Sequence, residues 1–120
     1  MRVIVAGAKA WPKPPKVYFE LGMLFCKNGP FELIHGGRST GAEAAAHHWF
    51  EVAGRTLGCI ETRWPAKWSM GNGAEAGRDA RMVSAGADLV LAFPLPVEPG
   101  SHCAAKLAKE AGIEVREVRP

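Results

Sequence analysis

The residues best placed for chemistry are contiguous: His35-Gly36-Gly37-Arg38-Ser39-Thr40-Gly41-Ala42-Glu43, between the apolar pair Leu33-Ile34 and an alanine-rich run. Gly36, Gly37 and Gly41 have no Cβ, so a ligand could come close to the main chain there. Free amides at a helix start, with the positive end of the helix dipole, favour an anion. Arg38 adds a full charge beside them, and Ser39 and Thr40 complete the turn. Thr40 followed three residues later by Glu43 predicts a capping box and a helix starting near Thr40. The same residues also describe an ordinary, well-capped strand-to-helix turn, so the turn alone does not decide between ligand binding and a silent connection.

Other candidates lie elsewhere in the chain. Gly7 ends the first apolar run, and Gly100 and Ser101 open the last helical stretch, where Ser101 could act as cap. Arg78 could be aimed at a phosphate or carboxylate, or could form an exposed salt bridge with Glu75 or Asp79. Trp11, Trp64 and Trp68 fall in loops, where an indole can stack on a nucleobase; Trp64 alternatively lids the core, and Trp68 is the better stacking candidate. Glu43, His47 and Glu51 share a helical face and could in principle hold a metal, but without evident partners on another element a solvated face is the reading. His47 and His48 point about 100° apart on a helix and do not chelate together. No metal and no cofactor are expected. There is no GxGxxG after the first strand and no GxxxxGK[ST], which disfavours dinucleotide oxidoreduction and P-loop hydrolysis.

Composition bounds the answer. A chain of 120 residues with 48% hydrophobic content is read as one domain, residues 1–120. A formal charge of +3 suits a phosphate-bearing small ligand but lacks the dense basic stripe of a dedicated DNA binder. Nucleic acid is therefore not indicated, though left open, as is a homodimer. Cys26, Cys59 and Cys103 offer neither a disulfide framework nor zinc spacing. With no signal peptide or membrane-length apolar run, a cytoplasmic protein with no membrane partner is expected.

The elements that must position these residues alternate. Apolar runs predict strands near 2–6, 31–35, 59–63, 88–93 and 114–118, the last with the alternating charges of an edge. Helices are predicted over Val17–Lys27, from Gly41 to about Arg55 with Gly54 weakening the last turn, over Ala74–Ala85, and from Ser101 to about Ala111. The three prolines after Gly7 predict an exposed irregular loop carrying Trp11. This is an α/β chain with a five-stranded, mainly parallel, doubly wound sheet. Its loops 7–16, 35–40, 64–73 and 93–101 should meet at the carboxyl edge of the sheet, where such folds bind ligands.

Five stretches together resemble a known family: VIVAGAKAW, HGGRSTGAE, AKW with Met70-Gly71, the run Arg78 to Val83, and GADLVLAFP. They are similar to the YspA and CpYpsA-related SLOG family, across most of the chain. The resemblance implies a single Rossmann-like three-layer domain related to DprA and to the Lonely Guy phosphoribohydrolases, with members common in phages and actinobacteria. It implies binding or sensing of a nucleotide or nucleotide-derived ligand, so a phage-encoded protein of that kind is the leading expectation. The alternatives are a nucleoside-monophosphate N-glycosidase or related nucleotide-processing hydrolase, and DprA-like binding of single-stranded DNA. This chain has Arg78-Asp79 where the family tends to Arg-Asn, and Ala74-Glu75 where an Ala-Gly pair is usual. At the glutamate position of the Lonely Guy PGGxGTxxE motif stands Ala104. Arg78 matches the arginine of that arrangement, but Glu43 or Asp79 would have to supply the missing acid.

Overall fold

Successive residues of the first strand face opposite ways, and both sides are covered. Val3 and Val5 pack in one apolar cluster and Ile4 and Ala6 in the other, all four buried. A strand buried on both faces has no use for polar alternation, which is why RVIVAG reads as a continuous apolar run. In the computed structural model this strand, β1 (Arg2–Gly7), is the centre of one parallel sheet with β2 (Glu32–His35), β3 (Ile60–Arg63), β4 (Leu89–Phe93) and β5 (Glu114–Glu117). The structure describes the backbone of residues 1–120 and all side chains except those of Trp68, Met70 and Asn72.

The strand order is β3-β2-β1-β4-β5, with every pairing parallel. Helices α1 (Pro14–Asn28) and α2 (Gly41–Trp49) cover one face through Val17, Leu21, Leu24, Ala42, Ala45 and Ala46. Helices α3 (Ala74–Ser84) and α4 (Cys103–Glu110) cover the other through Met82, Val83, Ala104, Ala105 and Ala108. The expected three-layer, Rossmann-like α/β arrangement is present, and the charged strands β3 and β5 are its edges. The order reverses at β1, which opens a crevice beyond the carboxyl ends of the central strands.

Local expectations fail in several places. Pro14 and Pro15 do not extend the loop but start α1, because a first helical turn needs no amide donor from them. Trp11 is not exposed: it is 5% accessible, lies edge-on to Phe93 with ring centroids 5.2 Å apart, and donates its indole N–H to Lys13 O. The second helix ends as α-helix at Trp49 and continues through a wider π-helical turn, Phe50–Gly54. A Cβ on Gly54 would stand 2.6 Å from the Trp49 ring, so this glycine admits the indole. Ser101 does not cap α4; it lies within a 3-10 turn, Pro99–His102, and its buried hydroxyl ties Leu95 to Glu98. No helix among the described residues is long and apolar enough to cross a membrane.

Candidate functional site

In the turn after β2, the amides of Gly36 and Gly37 are already used by the protein. Thr40 takes the N-cap position of α2, but its side chain makes no capping bond. Glu43, the expected partner in a capping box, instead turns back, and its Oε1 accepts the Gly36 amide at 2.8 Å. The carboxylate is buried, contrary to the solvated face expected for it. The Gly37 amide donates to His35 Nδ1 at 2.9 Å. The amides of Arg38, Ser39, Thr40 and Gly41 find no acceptor among the described residues.

The glycines likewise admit the chain's own groups. A Cβ on Gly36 would overlap Arg78 Nη1 and stand 2.6 Å from Glu43 Oε1. One on Gly41 would overlap Ala8 O, and one on Gly7 would lie 2.6 Å from Phe93 O. The missing Cβ atoms are expected to admit a ligand, but at these three positions the close neighbour is protein. Gly37, with φ +77°, has only Arg63 side-chain carbons at 3.7 Å or beyond.

A cavity of about 370 Å³ lies over this turn, lined by Lys9, Gly36, Gly37, Arg38, Ser39, Thr40, Pro65, Ala66, Glu75 and Arg78. A second hollow of about 350 Å³ adjoins it and shares Lys9, Arg38 and Glu75, adding the loop from Val97 to Gly100. Four of the loops after β1, β2, β3 and β4 thus meet at one edge, as the alternating pattern requires. Of the residues singled out from sequence, Gly36, Gly37, Arg38, Ser39, Thr40 and Arg78 line the main cavity and Gly100 the second. Gly7, Gly41 and Ser101 line neither. Trp68 as a stacking residue lies outside the described residues.

The charges sort into two sets. Arg78, 1% accessible, donates from Nε to Asp79 at 2.7 Å and from Nη1 to Trp64 O at 3.3 Å, with Glu43 Oε2 4.0 Å from Nη2. An exposed ion pair is therefore not its role. Arg38 donates from Nη1 to Gly7 O at 3.2 Å and from Nη2 to Glu75, while Lys9 Nζ lies 3.3 Å from the other oxygen of Glu75. Arg38 Nε is buried without a hydrogen bond among the described residues, and Glu43 Oε2 lies 3.8 Å from it. Beside Asp79, the Cys103 thiol is pushed up by burial and by the Asp79 charge, so it is held protonated and is a poor nucleophile.

A third group lies behind the turn. Because His35 Nδ1 accepts the Gly37 amide, the proton of the neutral ring is on Nε2, which donates to Glu61 Oε2 at 2.8 Å. The same oxygen accepts from His47 Nδ1 at 2.7 Å, and Arg63 Nε donates to Glu61 Oε1 at 3.2 Å. His47 thus has a partner on β3, with the His35 ring of β2 6.1 Å away, that its helical spacing did not reveal, so the solvated reading of His47 is also corrected. The three potential ligand atoms lie within 4.8 Å of one another. They fit an ion poorly: a metal on His35 Nε2 would move the ring proton to Nδ1, against the Gly37 N–H. Burial lowers the His35 pKa, with the hydrogen bond and charge of Glu61 pulling the other way. Burial alone would raise the Glu61 pKa, but hydrogen bonds from His35 and His47 leave it lowered.

No protein-family model matches the chain. It is 32% identical over 119 residues to the Gene 61 protein of Mycobacterium phage D29, covering 95% of this chain and 93% of that protein. The chain belongs to the family of that phage protein. A phage relative is among the sequence expectations, and the similarity covers nearly the whole of both chains. The relative's name states no activity, so function must be argued from the cleft.

Lys9, Pro65, Ala66, Glu75, Val97 and Glu98 line the cleft without having been singled out as ligand-binding residues. Lys9 and Glu98 were legible only as loop residues; Glu98 accepts the Lys9 and Ala10 amides at 2.9 Å and so shapes the loop after β1. The signal for Glu75 is its position in the first turn of α3; the sequence offers it to Arg78, whereas it pairs with Arg38 and Lys9.

Proposed function

We propose that the cleft binds or senses a nucleotide or nucleotide-derived ligand through its phosphate, and that the chain is a SLOG-type domain. The observation that carries this reading is the convergence of Gly36 to Thr40 with Lys9, Arg38 and Arg78 around one cavity at the carboxyl edge of a parallel sheet. Amides of Arg38, Ser39 and Thr40 that find no acceptor among the described residues, beside three cationic side chains, suit phosphate oxygens. Binding is favoured over hydrolysis because the acids nominated to replace the missing glutamate are occupied: Glu43 accepts the Gly36 amide and Asp79 accepts Arg78 Nε. Neither lines the cavity. Single-stranded DNA has less support, since a cleft bounded by Glu75 and Glu98 as well as Lys9 and Arg38 is no basic track.

Native mass spectrometry of freshly purified protein should reveal a co-purifying nucleotide-sized mass that titration calorimetry then reproduces with the identified compound. Consumption of that compound, followed by chromatography, would instead favour the hydrolase. A salt-dependent shift with oligonucleotides, absent with mononucleotides, would favour DNA.

A further inference from the structure

The cations that a ligand anion would need are not free. Glu75 holds both: one oxygen is paired with Arg38 Nη2 and the other with Lys9 Nζ. These three residues are also the ones shared by the two hollows, so the carboxylate bridge stands between them. We propose that Glu75 is an intramolecular competing anion, a latch that holds Lys9 and Arg38 together across the cleft and yields them to the anion of an incoming ligand. This rests on the phosphate-binding reading above and adds to it a residue that sets affinity and access.

Three features make the latch displaceable. The Glu75 side chain is 28% accessible and Lys9 57%, so the released carboxylate can move into solvent without stranding a buried charge. Arg38 is anchored independently by Gly7 O, which keeps its guanidinium in place when Glu75 leaves. Glu75 sits in the first turn of α3, so rotation of its own side chain releases the bridge without unfolding an element. Without the ligand the bridge offsets repulsion among Lys9, Arg38 and the nearby Arg78. A phosphate carries more charge than one carboxylate and can also accept the turn amides, which Glu75 does not reach in this arrangement.

The test is titration calorimetry with inorganic pyrophosphate on the full chain, comparing wild type, Glu75→Gln and the double variant Arg38→Ala/Glu75→Gln, with melting temperatures recorded for each with and without pyrophosphate. Removing the competing charge should tighten pyrophosphate binding about tenfold in Glu75→Gln. The same variant should melt lower than wild type alone and gain more from pyrophosphate, and Arg38→Ala should erase the gain. Binding seen only in Glu75→Gln, with wild type silent, also supports the latch. Equal or weaker binding in Glu75→Gln beside a binding wild type overturns the latch and leaves the phosphate site standing. A gain that survives Arg38→Ala overturns it too, and no binding in any variant overturns both.

Discussion

Arg78 and Arg38 stand on two sides of one glycine turn and meet opposite fates. Arg78 has a side chain 2% accessible, with Asp79, Trp64 O and Glu43 arranged around it and the absent Cβ of Gly36 making room for its guanidinium. Arg38, at 16%, leans on one carbonyl and one half-exposed carboxylate. A buried cation must keep its fixed partners or strand their charges, whereas a rim cation can exchange them at small cost. The difference teaches that Arg78 is chiefly a builder of the turn, and that Arg38, at the rim, is the arginine able to exchange its partner.

The comparison breaks most visibly at Arg78. Arg78→Ala should destabilise the fold by about 3 to 5 kcal/mol, because Asp79 is left buried without the guanidinium it is bonded to. Urea denaturation measures this, and a loss below 1 kcal/mol would put Arg78 with the exchangeable set. Gly36→Ala should come next, at about 1 to 3 kcal/mol, since the new methyl must displace Arg78 Nη1 and Glu43. The same denaturation series applies, and a neutral result would show that the guanidinium has room to move.

The His35 group sharpens the contrast through pH. Its folded pKa lies below the ordinary 6.5, so on acidification the unfolded chain takes up the proton first. Stability should therefore fall as pH drops through 6.5 toward the lowered folded value and then level off for this group. The lowered Glu61 pKa adds a second, more acidic window: its contribution is complete above 4.5 and lost as pH falls through its folded value. Urea midpoints across this range should show the first decline in wild type and not in His35→Gln; an unchanged slope in the variant would assign the decline elsewhere.

Arg38→Ala should change stability by no more than about 1 kcal/mol while weakening nucleotide or pyrophosphate binding in calorimetry. Smallest of all, Arg55→Ala should leave affinity within error and stability within about 0.5 kcal/mol, since Arg55 and its partner Glu51 are exposed and lie beyond the end of α2, away from the glycine turn.

Much of the architecture was readable because it depends on neighbours close in sequence. Apolar runs near 2–6 and 88–93 demand burial on both faces, and the Val17–Lys27 and Ala74–Ala85 stretches carry helical spacing, so an α/β sheet follows from local patterns alone. The same is true of the turn from Gly36 to Thr40 as a cavity wall, because a parallel sheet puts such loops at one edge whatever its strand order.

What each polar side chain binds was decided only by tertiary structure. Thr40 and Glu43 have capping-box spacing, yet the Gly36 amide, buried and otherwise unsatisfied, claims the carboxylate. His47 meets Glu61 and His35 because β3 pairs with β2 beside α2, a neighbourhood invisible to helical periodicity. Trp11 is buried because the loop after β1 folds back over Phe93 at the end of β4, the strand that lies beside β1 only once the sheet order reverses. Lys9, Arg38 and Glu75 come from three different loops and helix starts, and their meeting depends on that same order. Residue type and spacing could say that this edge would hold charge and glycine; only the packing of the sheet and its helices, which buries Arg78 beside Asp79 and leaves Arg38 and Lys9 at the rim, determined which charges are walls and which face the cleft.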